Sequence, residues 1–248
     1  MKITLITNTP DPEGVISLAA KMCYSNKSID ELTLGERDDF INRLMDLGHE
    51  SPIEHVTFTF GIEGISRSTS LQLVRHRIAS YSQKSQRYVK EDQFDYVIPH
   101  TIVGMGAEDR FRKLMGYIQN EYNSIRNDII AELEANGVDK KSAEKIANED
   151  ARYVLPNACQ TSLVVTMNAR SLFNFFKLRC CNRAQWEIRE VANEMYRICY
   201  MVAPTLFKYA GPSCVTTGRC SEGKMSCGQS AEKIHEFNTL RKKIDLNA

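Results

Sequence analysis

The sequence has no run of about 18 apolar residues, so no segment reads as a membrane-spanning helix. It also lacks an excess of either charge, with 32 Lys and Arg against 31 Asp and Glu. Domains whose main task is nucleic-acid binding usually carry a clear basic excess, so that class is disfavoured. Any anionic ligand must instead be held by a local cluster of cations. A Gly-rich phosphate loop is absent too, which leaves phosphate to be bound by side chains. The N-terminus, Met1-Lys2-Ile3-Thr4-Leu5-Ile6, is a short apolar run followed by Asn8, Pro10 and Asp11. A secretory signal needs a longer apolar region and a small-residue cleavage site. A cytoplasmic location is therefore expected, where the eight cysteines would be mostly reduced.

What is present is ordinary in bulk. A chain of 248 residues, 42% hydrophobic and 25% charged, can bury a substantial core as one large domain or two small ones. Residues 2–7 read as a strand, and Asp11 or Pro12 opens a helix carrying Val15, Ile16, Leu18, Ala19 and Met22. A second helix is predicted over 36–47, with Phe40, Ile41, Leu44 and Leu47 at helical spacing. Gly48 to Pro52 is a loop, Val56 to Ile62 an alternating strand, and Ser66 to His76 a helix. A polar stretch with almost no aliphatic content runs from Ser80 to Asp92. Helices over 107–136 and 139–150 are separated by the stop signal Asn136-Gly137. A strand over 160–167 precedes helices at 170–180 and 184–202, and a short amphipathic helix over 231–246 carries Ile234, Phe237, Leu240 and Ile244.

Helices outnumber strands and do not alternate with them regularly. The expected class is α+β, one mixed or antiparallel sheet flanked by several helices. No repeat or long linker divides the chain, so one domain is expected over residues 1–210, followed by a Cys- and Gly-rich C-terminal extension over 211–248. Cys23, Cys159, Cys180, Cys181 and Cys199 fall in predicted elements and read as small core residues.

The most informative stretch is Arg75-His76-Arg77-Ile78-Ala79-Ser80-Tyr81-Ser82-Gln83-Lys84-Ser85-Gln86-Arg87-Tyr88. Taken alone, such a stretch is usually a solvated surface loop. Here the hydroxyls at 80, 82 and 85 supply short donors at several heights of a pocket. Arg offers a planar fork of donors suited to phosphate oxygens and uracil-type carbonyls. On the predicted helix, Gln72 shares a face with Arg75 and His76. The pattern Arg-His-Arg-x-x-Ser-x-x-x-x-Ser-x-Arg-Tyr is similar to the signature of flavin-dependent thymidylate synthases, with every fixed residue in register.

Three further segments resemble the same family in the same order. They are Gly48-His49-Glu50-Ser51-Pro52-Ile53-Glu54-His55, then Arg152-Tyr153-Val154-Leu155-Pro156, then Asn168 to Phe175 with Leu178-Arg179 and Ala184-Gln185-Trp186-Glu187. Many members have Asn-Glu where this chain has Ser82-Gln83; a Ser-Gln subgroup is familiar, and Gln83 has no carboxylate.

The resemblance implies methylation of dUMP to dTMP by a catalytic domain over 1–210. Methylenetetrahydrofolate would supply the carbon, and FAD reduced by NADPH the hydride. It implies a homotetramer with active sites shared between subunits, and neither nucleic acid nor membrane as a partner. It places Gln72, Arg75, Gln83, Ser85, Arg87, Arg152 and Arg179 on dUMP. On FAD it places Ser51, Arg75, His76, Arg77, Gln83, Asn168, Arg170 and Asn174. Arg179, His49 and Ser85 are the catalytic candidates: Arg179 for charge on the base, His49 beside flavin and folate. Arg170 and Asn174, four apart on a predicted helix, share a face. Ser85 is read as a ligand-binding hydroxyl, because Lys84, Gln86 and Arg87 beside it include no evident general base. The Pro-Cys-His nucleophile context of the unrelated, flavin-free thymidylate synthases is absent.

Other features have plainer readings. Trp186, Phe173, Phe175 and Phe176 at helical spacing are core candidates, and His55 and His100 are structural. Cys214, Cys220 and Cys227 lie in a Gly- and Ser-rich tail, where three thiols could surround a metal. Close Cys-x₂₋₄-Cys pairs are lacking and a possible fourth ligand, His235, falls in the predicted terminal helix, so no metal site is assigned. The competing function classes are a nucleic-acid or nucleotide-binding module using the 75–87 stretch and a zinc-stabilised interaction protein using the tail. A flavin absorbance spectrum separates the first reading from both.

Overall fold

The computed structural model describes residues 1–32, 37–88 and 93–246. Position 36, where the second helix is predicted to begin, and positions 89–92 of the polar stretch lie outside the described residues. Strand β1 (Lys2–Asn8) leads into α1 (Pro12–Met22), capped by Asp11, whose carboxylate accepts from Gly14 N at 3.3 Å. Helix α2 (Arg37–Asp46) buries Ile41 and Leu44 and leaves Leu47 exposed beyond its end. There follow β2 (Thr57–Ser66), α3 (Arg67–Leu73), β3 (Ala79–Gln83), α4 (His100–Gly104), α5 (Glu108–Ala135), α6 (Lys140–Ala151) and β4 (Gln160–Asn168). The chain continues through α7 (Ala169–Arg179), α8 (Trp186–Val202), α9 (Pro204–Phe207), α10 (Ser213–Thr217) and α11 (Ser230–Asp245).

The strands form one four-stranded sheet in the order β1-β2-β4-β3. Strands β2 and β4 are antiparallel. Arg67 N, past the end of β2, donates to Cys159 O ahead of β4 at 2.9 Å. At the other end, Ala169 N donates to Val56 O at 2.8 Å. Alternation is clean on both: Phe58, Phe60 and Ile62 are buried on β2, and Leu163, Val165 and Met167 on β4. The α+β class with a sheet and several helices is what the sequence predicts. Strand β3 is an addition within the polar stretch: it lies at the edge of the sheet and buries no residue fully.

The chain packs as two compact units. One comprises residues 1–2, 62–72 and 82–163; the other comprises 3–61, 73–81 and 164–248. In the first, α5 and α6 form a helical hairpin turned at Gly137, whose φ of +84° favours glycine. Buried Arg126 ties the two helices together, donating from Nε to Asn148 Oδ1 at 2.6 Å. Phe94, Met115 and Cys159 make an apolar cluster covered by Tyr96, Phe111 and Leu155.

The second unit is built on aromatic packing. Phe207 meets Phe58 at 5.4 Å, Phe173 at 5.7 Å and Phe176 at 6.0 Å between ring centroids. Each such ring contributes roughly 1.5–3 kcal/mol by leaving water. Cys180 and Cys199 are buried here as small apolar residues, and burial pushes both thiols well up. Cys23 departs from that expectation: it caps the C-terminus of α1 and is exposed. On α11 only Phe237 of the predicted apolar stripe is fully buried. Arg241 anchors that helix, lying 5.8–5.9 Å from the ring centroids of Tyr196, Tyr200 and Phe237. It donates to Tyr196 Oη at 2.7 Å and to Ala210 O at 3.2 Å.

Candidate active site

Helix α3 ends at Leu73, so the predicted helix through His76 is too long, and Gln72, Arg75 and His76 do not share a helical face. The cause is local. His76 N turns back onto Leu73 O at 3.1 Å, and the Tyr81 hydroxyl reaches both Leu73 O and His76 O at 2.9 Å. That hydroxyl closes the turn from one side, and burial pushes its pKa up to about 12.

The turn delivers His76 into a half-buried position against Phe175, edge to face at 4.9 Å. Arg179 Nε, on the last turn of α7, donates to His76 Nε2 at 3.0 Å. Burial, and then the Arg179 charge, lower the His76 pKa from 6.5 to about 4. The ring is therefore neutral near pH 7, with its proton on Nδ1 and its Nε2 lone pair toward Arg179. Burial and the nearby Arg75 charge in turn lower the Arg179 pKa. Arg75, His76 and Arg179 thus form one cationic group, brought together from positions over 100 residues apart in sequence.

Beside them, Arg77, Ile78, Asn168, Arg170 and Asn174 line a recess of about 400 Å³ together with Glu54 and Ser171. Asn168 caps α7, with Oδ1 accepting from Ser171 N at 2.8 Å, so one side chain both caps the helix and lines the recess. Arg170 and Asn174 share a face of α7, as their spacing predicts. Arg170 is ion-paired to Glu54 and, at 3.3 Å, to Glu50. Ile78 has φ +60°, a strained conformation for a β-branched residue, and is 79% exposed. Its carbonyl accepts from Ser171 Oγ at 3.0 Å, which fixes the strained turn.

His49 and Ser51 line neither this recess nor the larger cavity described below, although their neighbours Glu50 and Glu54 do. Gly48 ends α2 with φ +72°. The bonds Gly48 N to Met45 O and His49 N to Leu44 O, both 3.0 Å, hold His49 at the mouth of the loop. Ser51 opens a short 3₁₀ turn without using its hydroxyl as a cap.

The remaining candidates lie in the other unit. Ser85 Oγ accepts from Arg87 N at 3.3 Å, and among the described residues no base hydrogen-bonds to it. Arg87 is ion-paired to Glu149, and Arg152 Nε donates to Glu149 O at 3.1 Å. Gln83 donates to Ser70 Oγ at 3.0 Å and to Thr161 Oγ1 at 3.3 Å, which satisfies its amide protons and leaves its carbonyl oxygen available. Gln72 is half-buried on α3 and joins none of these groups by a hydrogen bond.

Sequence reading passed over Glu54, Ile78, Tyr81 and Glu149. The first three lie inside the quoted motifs at variable positions. Glu149 was hidden because its side-chain partner, Arg87, lies 62 residues away in sequence. Of the aromatic residues, Phe175 and Phe176 are core; Phe173 is half-buried and lines a cavity. Among the described residues no group of three His, Cys, Asp or Glu is placed to hold a metal ion, and no helix is long and apolar enough to cross a membrane.

The family model "Thymidylate synthase complementing protein" matches residues 4–205. A protein of Clostridium tetani named flavin-dependent thymidylate synthase is 54% identical, over 94% of this chain and 95% of its own. One of the same name from Geobacter sulfurreducens is 48% identical over 97% and 99%, and one from Pyrococcus furiosus 39% over 90% of each. With the match running from β1 through α9 and including every candidate residue, this chain belongs to the flavin-dependent thymidylate synthase family.

Proposed function

We propose that the protein methylates dUMP to dTMP with methylenetetrahydrofolate as carbon donor and FAD, reduced by NADPH, as hydride carrier. The observation that carries this reading is the pairing of Arg179 with a neutral His76, next to a recess lined by Arg77, Asn168, Arg170 and Asn174. The recess fits part of a flavin: it offers an exposed apolar side chain, two guanidinium groups and two amides. Arg77, Asn168, Arg170 and Asn174 would hold the cofactor, with Ser51, Arg75, His76 and Gln83 as further contacts. Bound FAD supplies hydride chemistry that no amino-acid side chain provides.

The chain's own part is placement and charge. His76 accepts from Arg179 Nε, so the other guanidinium donors of Arg179 are free to face negative charge developing on the uracil carbonyls. Burial of the pair strengthens that interaction relative to water. Arg87 and Arg152, held about Glu149, together with Ser85, Gln72 and the Gln83 carbonyl, supply the phosphate and ribose contacts of dUMP. Ser85 binds and does not attack, since among the described residues no base hydrogen-bonds to it. His49 works at the folate and flavin side.

The same reading makes residues 1–210 the catalytic domain and 211–248 an extension. The protein is a cytoplasmic homotetramer with active sites shared between subunits, without nucleic-acid or membrane partners. The test is direct. Protein incubated anaerobically with dUMP, methylenetetrahydrofolate, FAD and NADPH forms dTMP, and absence of dTMP overturns the reading.

A further inference from the structure

A cavity of about 560 Å³ lies beside the Arg170 recess in the same compact unit. One wall is the α7 stripe Arg170, Asn174 and Lys177; the other is the segment from Tyr209 to Ser221, beyond the family match. The far wall is built to hold its shape. Gly211 has φ +136°, and a β-carbon there would meet the Phe237 ring at 3.1 Å. Ala210 O is gripped by Arg241.

The hydroxyls of this wall already direct protons inward. Thr217 Oγ1 donates to Ser213 O at 2.9 Å and Thr216 Oγ1 to Pro212 O at 3.4 Å. Ser213 Oγ takes Ser221 N at 3.1 Å and shares a proton with Ser221 Oγ at 2.9 Å. The Tyr209 hydroxyl donates to Asn42 Oδ1 at 3.3 Å. On this wall the hydroxyls of Thr216, Thr217 and Tyr209 have their protons engaged and keep lone pairs to offer, and the Glu50 carboxylate lines the cavity with them. Two cations line it as well: Arg170, ion-paired to Glu50 at 3.3 Å and to Glu54, and Lys177, which has no ion pair among the described residues. Such a surface suits a ligand with many O–H and N–H donors and a phosphate at one place. Ribose hydroxyls beside a carboxylate, and a 2′-phosphate beside a cation, are familiar forms of dinucleotide recognition.

We propose that this cavity binds the reduced nicotinamide dinucleotide, with its ribose hydroxyls on Glu50 and the Ser/Thr wall and its 2′-phosphate on Lys177. The assignment rests on the reaction proposed above. It makes Lys177 the residue that distinguishes NADPH from NADH, and it gives the extension a binding role.

The test is anaerobic flavin reduction by Lys177→Gln and Thr217→Val proteins, with NADPH and with NADH. Lys177→Gln should raise the half-saturating NADPH concentration about tenfold, the loss expected for one charge-assisted contact. Half-saturation by NADH and the FAD dissociation constant, from flavin fluorescence, should be unchanged. Thr217→Val should weaken both dinucleotides alike. Equal effects of Lys177→Gln on NADPH and NADH would overturn the phosphate assignment. Weaker FAD binding would give the cavity to the flavin, a raised KM for methylenetetrahydrofolate alone would give it to the folate, and no change would remove it as a site. NADP⁺ binding by saturation-transfer NMR, wild type against Lys177→Gln, requires no turnover. A wild-type protein that binds NADP⁺ through Lys177 yet makes no dTMP would break the proposed reaction and leave the site standing.

Discussion

Arg179 and His76 meet nitrogen to nitrogen, Nε to Nε2 at 3.0 Å, so the histidine serves the arginine as an acceptor and not as a second cation. This geometry exists only while the imidazole is neutral. With its pKa lowered from 6.5 to about 4, His76 contributes stability that is complete above pH 6.5. As pH falls from 6.5 through 4, the unfolded chain takes up a proton that the folded one excludes, and the contribution is lost. An NMR titration should place His76 near 4, and urea midpoints should decline across that window. A His76 that titrates at 6.5 in the folded protein would break the assignment.

Replacing Arg179 by Ala should lower turnover by about two to three powers of ten, the typical cost of one preorganised donor. Arg179 is half-buried at the end of α7 and stabilises little of the core, so thermal unfolding should shift only slightly. Lys at this position should restore the charge without the fork of donors and recover activity only in part.

Ile78 gives a prediction of opposite sign for stability and binding. Gly in its place removes a left-handed β-branched residue that is 79% exposed, relieving about 1–2 kcal/mol of strain with little loss of burial. The Ile78→Gly protein should unfold at equal or higher temperature and bind FAD more weakly, as read by flavin fluorescence. Weaker binding accompanied by clear destabilisation would show that the turn is structural alone.

Ser85→Ala should weaken dUMP binding and retain measurable turnover, because the hydroxyl is a contact and not a nucleophile. Mass spectrometry of wild-type protein quenched during turnover should show no adduct at Ser85; a covalent uridylate there would reverse its role.

Tyr81→Phe removes one donor from two carbonyls at once, those of Leu73 and His76. A loss of about 1–3 kcal/mol is expected from the unmet acceptors, measured by denaturant unfolding. The His76 pKa should move back toward 6.5 as the turn loosens.

Regular elements were readable wherever side chains alternate or repeat with burial, as in Phe58-Thr59-Phe60 of β2 and the Arg170 to Arg179 face of α7. Strand β3 was not, because Ala79-Ser80-Tyr81-Ser82-Gln83 is an edge segment with no apolar alternation. The end of α3 was misjudged for a related reason. What stops the helix is the Tyr81 hydroxyl, eight residues ahead of Leu73, which propensity along the chain does not register. At the site, residue types and spacing pointed to Arg170 with Asn174 and to the cationic stretch. Partners far apart in sequence stayed hidden: Glu149 for Arg87, and Glu50 and Glu54 for Arg170.

The anchorage of α11 has a consequence for a cut chain. Arg219 and Lys224 are exposed within the Gly- and Ser-rich segment ahead of that helix, where trypsin can cleave. The released peptide would still carry Phe237, packed 4.7 Å from Tyr196, and Arg241, seated among three rings. Nicked protein should therefore elute as one species under native conditions and part only in denaturant, the final helix behaving as a fragment that complements its own parent.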